Sequence, residues 1–143
     1  MDSVSVNKIL ITPLKRIQVD GGDVLHGMKR SDPGYLDFGE VYFSIVESGA
    51  VKAWKRHLRM TLNFVVPLGE VLFAFEDQDG AYREVVLGEN RYARLTVPPN
   101  IWFGFKGLFP PRSILVNIAS IQHDPKEVEH RDIGEVNYNW KVK

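Results

Sequence analysis

The chain has 143 residues, 44% hydrophobic and 25% charged, with 18 Lys and Arg balancing 18 Asp and Glu. That length suits one domain over 1–143 with a core of its own, and the zero net charge leaves no overall field to draw it to nucleic acid or an anionic membrane. The lack of cysteine excludes disulfides, thiolate metal sites and thiol nucleophiles together.

The opening MDSVSVNKILITPLKR has no basic region followed by an apolar one, so no leader is read there. No apolar run approaches the roughly 18 residues of a membrane helix. A soluble, cytoplasmic protein is expected. Next, DVLHGMKRSDPGYLDF (23–38) mixes charge with aromatics and has no strand pattern. It reads as a long connection of the kind that carries function at a barrel mouth. FGEVYFSIVE (38–47) is a strand by its β-branched and aromatic content, and VKAWKRHLR (51–59) is a cationic one. TLNFVVPL (61–68) and EVLFAFED (70–77) follow, and Asp77-Gln78-Asp79-Gly80 signals a turn. YREVVLGEN leads into YARLTVPP, where Leu95 and Val97 alternate with Arg94 and Thr96. WFGFKGLFPP (102–111) and SILVNIASI (113–121) complete the strands, and PKEVEHRD (125–132) suits one or two helical turns opened by Pro125. Eight or so short strands between turn signals predict an all-β protein, an antiparallel sandwich or barrel.

Strand alternation puts Lys55, His57 and Arg59 on one face of the cationic segment, with Lys52, Trp54, Arg56 and Leu58 on the other. Two readings of that face stay open. It lines a hollow and meets an anionic, carbonyl-bearing ligand, or it is a solvated edge with charged stems lying over Trp54. Trp102, Phe103 and Phe105 around Gly104 could stack on a base, with Tyr92 and Arg94 one strand away, or could be ordinary core. His26 and Tyr35 sit in the long connection, and His123, Asp124 and His130 read as surface turn residues. Phosphate-loop, dinucleotide and serine-hydrolase signatures are missing.

The order GEVYFS, VKAWKRHLRMTLNFVVPLGEV, VVLGENRYARLTVPPNIWFGF and NIASIQHDP resembles the dTDP-4-dehydrorhamnose 3,5-epimerase family, over roughly residues 38–140. The resemblance implies a single-domain, cupin-type jelly-roll barrel of antiparallel strands, commonly a homodimer exchanging N-terminal strands. It also implies metal-free inversion beside the ketone of a nucleotide-linked deoxysugar, with no cofactor. On the family's R-G-x-H motif lies Lys52-Ala53-Trp54-Lys55, so Lys55 stands at the base position and Lys52 at a phosphate-gripping arginine. The family's tyrosine acid falls near Val116 and a second histidine at Phe103. Asp132 matches the aspartate ahead of the closing tryptophan. The cupin metal positions carry Lys55, His57, Thr61 and Phe103, which leaves one ligand, so no metal is expected.

Two functions follow as expectations. One is an isomerase of a nucleotide-linked 4-keto-deoxysugar, with Lys55, His57 and Asp132 as catalytic residues and Lys52, Arg59, His26, Tyr35, Tyr92, Arg94 and Trp102 as binding residues. The other is a sugar-nucleotide-binding or assembly module that kept the fold and lost the acid and base.

Overall fold

The computed structural model describes residues 4–141; residues 1–3 and 142–143, including the start of the stretch read for a leader, lie outside that description. Among the described residues twelve strands occur in chain order. They are β1 (Leu10–Pro13), β2 (Arg16–Ile17), β3 (Val24–Leu25), β4 (Glu40–Glu47), β5 (Val51–His57) and β6 (Leu62–Leu68), then β7 (Glu70–Glu76), β8 (Tyr82–Gly88), β9 (Ala93–Val97), β10 (Trp102–Gly107), β11 (Arg112–Ala119) and β12 (Val128–His130). Two five-stranded antiparallel sheets result, ordered β1-β9-β6-β11-β4 and β12-β5-β10-β7-β8, with β2 and β3 as a separate hairpin. This is the antiparallel jelly roll that the strand spacing and the resemblance point to. No helix among the described residues is long and apolar enough to cross a membrane.

Local chemistry sets the turns. Asp77 accepts from the amides of Asp79 and Ala81 and, with its other oxygen, from Val6, while Gly80 takes φ 81°, which a side chain resists. β7 and β8 are thereby joined as the sequence predicts. Pro125 opens a single 3-10 turn, Pro125–Glu127, and the chain then returns to strand as β12 rather than continuing helical.

The core lies between the sheets, where Phe64 packs on Phe73 and Phe103 at ring distances of 5.1 and 5.5 Å. A second cluster sits on the outer face of the second sheet. There the C-terminal segment lays Val136 and Trp140 over Trp54, Ala74 and Trp102. Gly104 makes that approach possible, because a Cβ there would stand 2.5 Å from the Ala53 Cβ and 3.0 Å from the Trp140 ring. The outer face of the first sheet is covered over β6 and β9 by the connection 26–35. This is why β6 is buried along most of its length rather than alternating.

One irregularity positions the site. Along β5 and β10, Phe103 pairs with Lys55 while Gly104 pairs with Ala53, so Trp54 is an extra residue in the β5 ladder. The slip resets the alternation and brings Lys52 to the same side as Lys55 and His57.

Candidate active site

The two sheets part at one end to leave a cavity of about 710 Å³. β5 contributes Lys52, Lys55 and His57 to its wall, β4 contributes Tyr42 and Ser44, and β11 contributes Leu115 and Asn117. Its floor is aromatic, with Phe64, Phe103 and Phe105, and its rim carries His123, His130, Arg131 and Asp132. An apolar floor with a few converging polar groups is the ordinary make-up of a small-molecule site.

His57 is the most constrained of these groups. Its Nδ1 lies 2.5 Å from Glu127 Oε1, and its ring stacks on Phe103 at 6.1 Å. Glu127 is buried, and its second oxygen accepts from the amides of Arg59 and Met60, both at 3.2 Å. Burial pushes the Glu127 carboxyl up, but the His57 hydrogen bond and those two amides outweigh it and hold the carboxyl below its usual range. Burial lowers His57 below 6.5, with Lys55 and His123 adding repulsion, and outweighs the pull of the carboxylate. The pair therefore rests as a neutral imidazole donating Nδ1–H to an ionised carboxylate. That tautomer leaves the Nε2 lone pair for the cavity.

Two further groups were not singled out from the sequence. Tyr42 stands directly across the ladder from Asn117. A hydrogen bond with Glu40, then burial, raises the Tyr42 phenol above its usual value, so it stays protonated at neutral pH. Asn117 Oδ1 is buried with no hydrogen-bond partner among the described residues, an acceptor free for a ligand hydroxyl. Alternation marks both: Glu40, Tyr42, Ser44 and Val46 share a face, and Asn117 is the one amide in an apolar run. Glu127 has no such signature, because nothing local in DPKE tells a buried glutamate from a solvated one.

Several expected site residues lie elsewhere. Arg59 does not join Lys55 and His57; its guanidinium is 60% exposed and pairs with Asp124 at 3.1 Å. Arg94, Tyr92, His26 and Tyr35 sit on the far side of the first sheet. Arg94 is fully buried and donates to the carbonyls of Gly27 and Pro33 at 2.8 Å and to Asp32 at 3.3 Å. Tyr92 donates to the His26 carbonyl at 2.7 Å, and Tyr35 closes a backbone turn onto Asp32. These groups bind the long connection to the sheet and leave no phosphate clamp. Trp102 packs outward in the second cluster, buried, with the guanidiniums of Arg56 and Arg131 over its ring at 4.8 and 4.1 Å. His123 and His130, read as surface turn residues, are exposed and stand at the cavity rim, because β12 pairs with β5 beside it. Among the described residues no cluster of three or more His, Cys, Asp or Glu is placed to hold a metal ion.

No family model matches the chain. A dTDP sugar isomerase from Desulfovibrio desulfuricans G20 superposes with a TM-score of 0.89 at 33% identity, covering 94% of this chain and 92% of that one. A dTDP-4-dehydrorhamnose 3,5-epimerase from Sulfolobus tokodaii has the same fold at a TM-score of 0.81 and 19% identity, covering 98% of this chain and 86% of that one. The probable low-salt glycan biosynthesis epimerase Agl13 of Haloferax volcanii is 28% identical over 99 residues. That match takes in 64% of this chain and 64% of the relative's length. A third of the residues shared over nearly the full length of both chains, on one jelly-roll frame, is common descent: the chain belongs to the dTDP-sugar isomerase and epimerase family of cupins.

Proposed function

We propose that the chain is an isomerase of a nucleotide-linked 4-keto-deoxysugar in glycan or surface-polysaccharide assembly, working in the cytoplasm as a homodimer. The observation that carries this reading is the His57–Glu127 pair facing an aromatic-floored cavity. His57 Nε2 takes the proton from the carbon beside the ketone, and the electron pair passes to the carbonyl oxygen as an enolate. Lys55, on the same wall, stabilises that oxyanion, and Lys52 meets the diphosphate. Asn117 and Asp132 accept from ring hydroxyls. Reprotonation at carbon then isomerises or inverts the centre. Tyr42 brings a neutral phenol to the cavity and is the donor for that step. Lys55 thus serves as a cation and His57 as the base, although the motif match alone puts Lys55 at the base position.

The test is solvent exchange. In deuterated water, proton NMR of dTDP-4-keto-6-deoxyglucose with the protein is expected to show deuterium entering at C3 or C5. Binding without any incorporation would leave a sugar-nucleotide-binding module and remove the isomerase reading for that substrate. Tyr42→Phe is expected to keep exchange while lowering product formation by on the order of 10². Unchanged product formation would take Tyr42 out of the reaction.

A further inference from the structure

The extra residue of β5 is gripped twice by the end of the chain. Its backbone exchanges two hydrogen bonds with Arg131: the Trp54 N–H donates to the Arg131 carbonyl at 3.0 Å, and the Arg131 N–H to the Trp54 carbonyl at 3.1 Å. Its indole, 1% exposed, lies against Tyr138 and Trp140 at ring distances of 5.8 and 5.4 Å. Those two residues are tied to other strands of the sheet. The Tyr138 hydroxyl donates to Glu84 of β8, and Lys106 Nζ of β10 donates to the Trp140 carbonyl at 2.8 Å. Neither the Trp54 nor the Trp140 indole N–H has a hydrogen-bond partner among the described residues, so the two rings are matched by shape alone. A bulge leaves one residue out of the ladder, and burial in the outer cluster offsets that loss. Ala53 and Trp54 both pack into the cluster, although neighbours on a regular strand point to opposite faces. Lys52 and Lys55, on either side of that pair, are left facing the cavity.

We propose that Trp140 is a positioning residue for Lys52. It holds the Trp54 ring against the outer face, the ring holds the slip, and the slip presents the Lys52 ammonium to the diphosphate of a bound nucleotide. Lys55 and His57 lie beyond the slip, where Phe103 pairs with Lys55, and do not depend on it. The role rests on the nucleotide-sugar reading above, and it extends that site to a residue on the far side of the sheet from the ligand.

Titration with dTDP and steady-state kinetics of one set of variants test it. Trp140→Ala is expected to weaken dTDP binding and raise KM by about tenfold, the size of one charge-assisted contact, with kcat within about twofold of native. Lys52→Ala is expected to do the same, and the double variant to bind no more weakly than Lys52→Ala, since both changes remove one contact. Trp140→Phe, which keeps a ring and lacks the N–H, is expected to restore most of the affinity. If the alanine variant does not fold, Trp140→Leu carries the same comparison. Native affinity in folded Trp140→Ala, or a double variant about tenfold weaker than Lys52→Ala, overturns the positioning role and leaves the nucleotide reading in place. So does an NMR pattern of cross-strand contacts in Trp140→Ala that keeps Gly104 opposite Ala53. Native protein that leaves dTDP unbound overturns the nucleotide reading and this role together.

Discussion

His57→Asn is expected to cut turnover by on the order of 10²–10⁴, with nucleotide binding retained and solvent exchange lost in parallel. Asparagine cannot take a proton, yet it fits the space and still reaches Glu127. Glu127→Gln is expected to come within about tenfold of it, for a reason of orientation. One Glu127 oxygen accepts two backbone amides, so a glutamine must place its carbonyl there and turn its NH₂ toward His57. Nδ1 then has to accept, the ring proton moves to Nε2, and the lone pair facing the cavity is gone. The pH profile offers an independent reading. The base works when neutral, so kcat/KM rises with pH through the His57 pKa and then stays flat. Burial sets that midpoint below 6.5, so the protein is at full activity across neutrality. A midpoint above 6.5, or a Glu127→Gln variant of native activity, would contradict the assignment of His57 as base.

Arg94→Met is expected to lower stability by about 3 kcal/mol and to leave nucleotide affinity within about twofold. Methionine keeps the apolar stem but none of the donors. Two carbonyls and the Asp32 carboxylate then lose their partner beneath a covered sheet face. Asp32, now held low by the Lys29 amide with help from Arg94, is expected to shift upward toward ordinary carboxyl behaviour. Urea unfolding and nucleotide titration of one preparation decide the matter. Unchanged stability with weakened nucleotide binding would return Arg94 to the binding role expected from its sequence.

The strands were legible because each carries its own signal: turn residues such as Asp77 and Gly80, and β-branched runs between them. β1 escaped notice since LITP has four residues, one of them proline, and no alternation. The site was legible only in part. Alternation singled out Lys55 and His57, but it says which residues share a face, never what lies over that face. Arg94 and Trp102 were read toward a ligand, whereas they point to faces that the chain itself covers, with 26–35 over one sheet and Val136 and Trp140 over the other. Lys52 was assigned to the wrong side because pattern reading takes a strand to be regular, and the slip at Trp54 shows only once β10 is paired to it. The partner of His57 was out of reach for a different reason. Glu127 is 70 positions away in the chain, and only the pairing of β12 with β5 brings the two together.

That unpaired tryptophan also bears on how such proteins diverge. At the same length a regular ladder would set Trp54 across from Gly104 and Lys52 across from Lys106, and would swing the Lys52 ammonium out of the cavity while Lys55 and His57 keep their places. Ligand preference could therefore change through a slip of one strand against its neighbour with every charged side chain retained, a route that comparison by substitution alone would overlook.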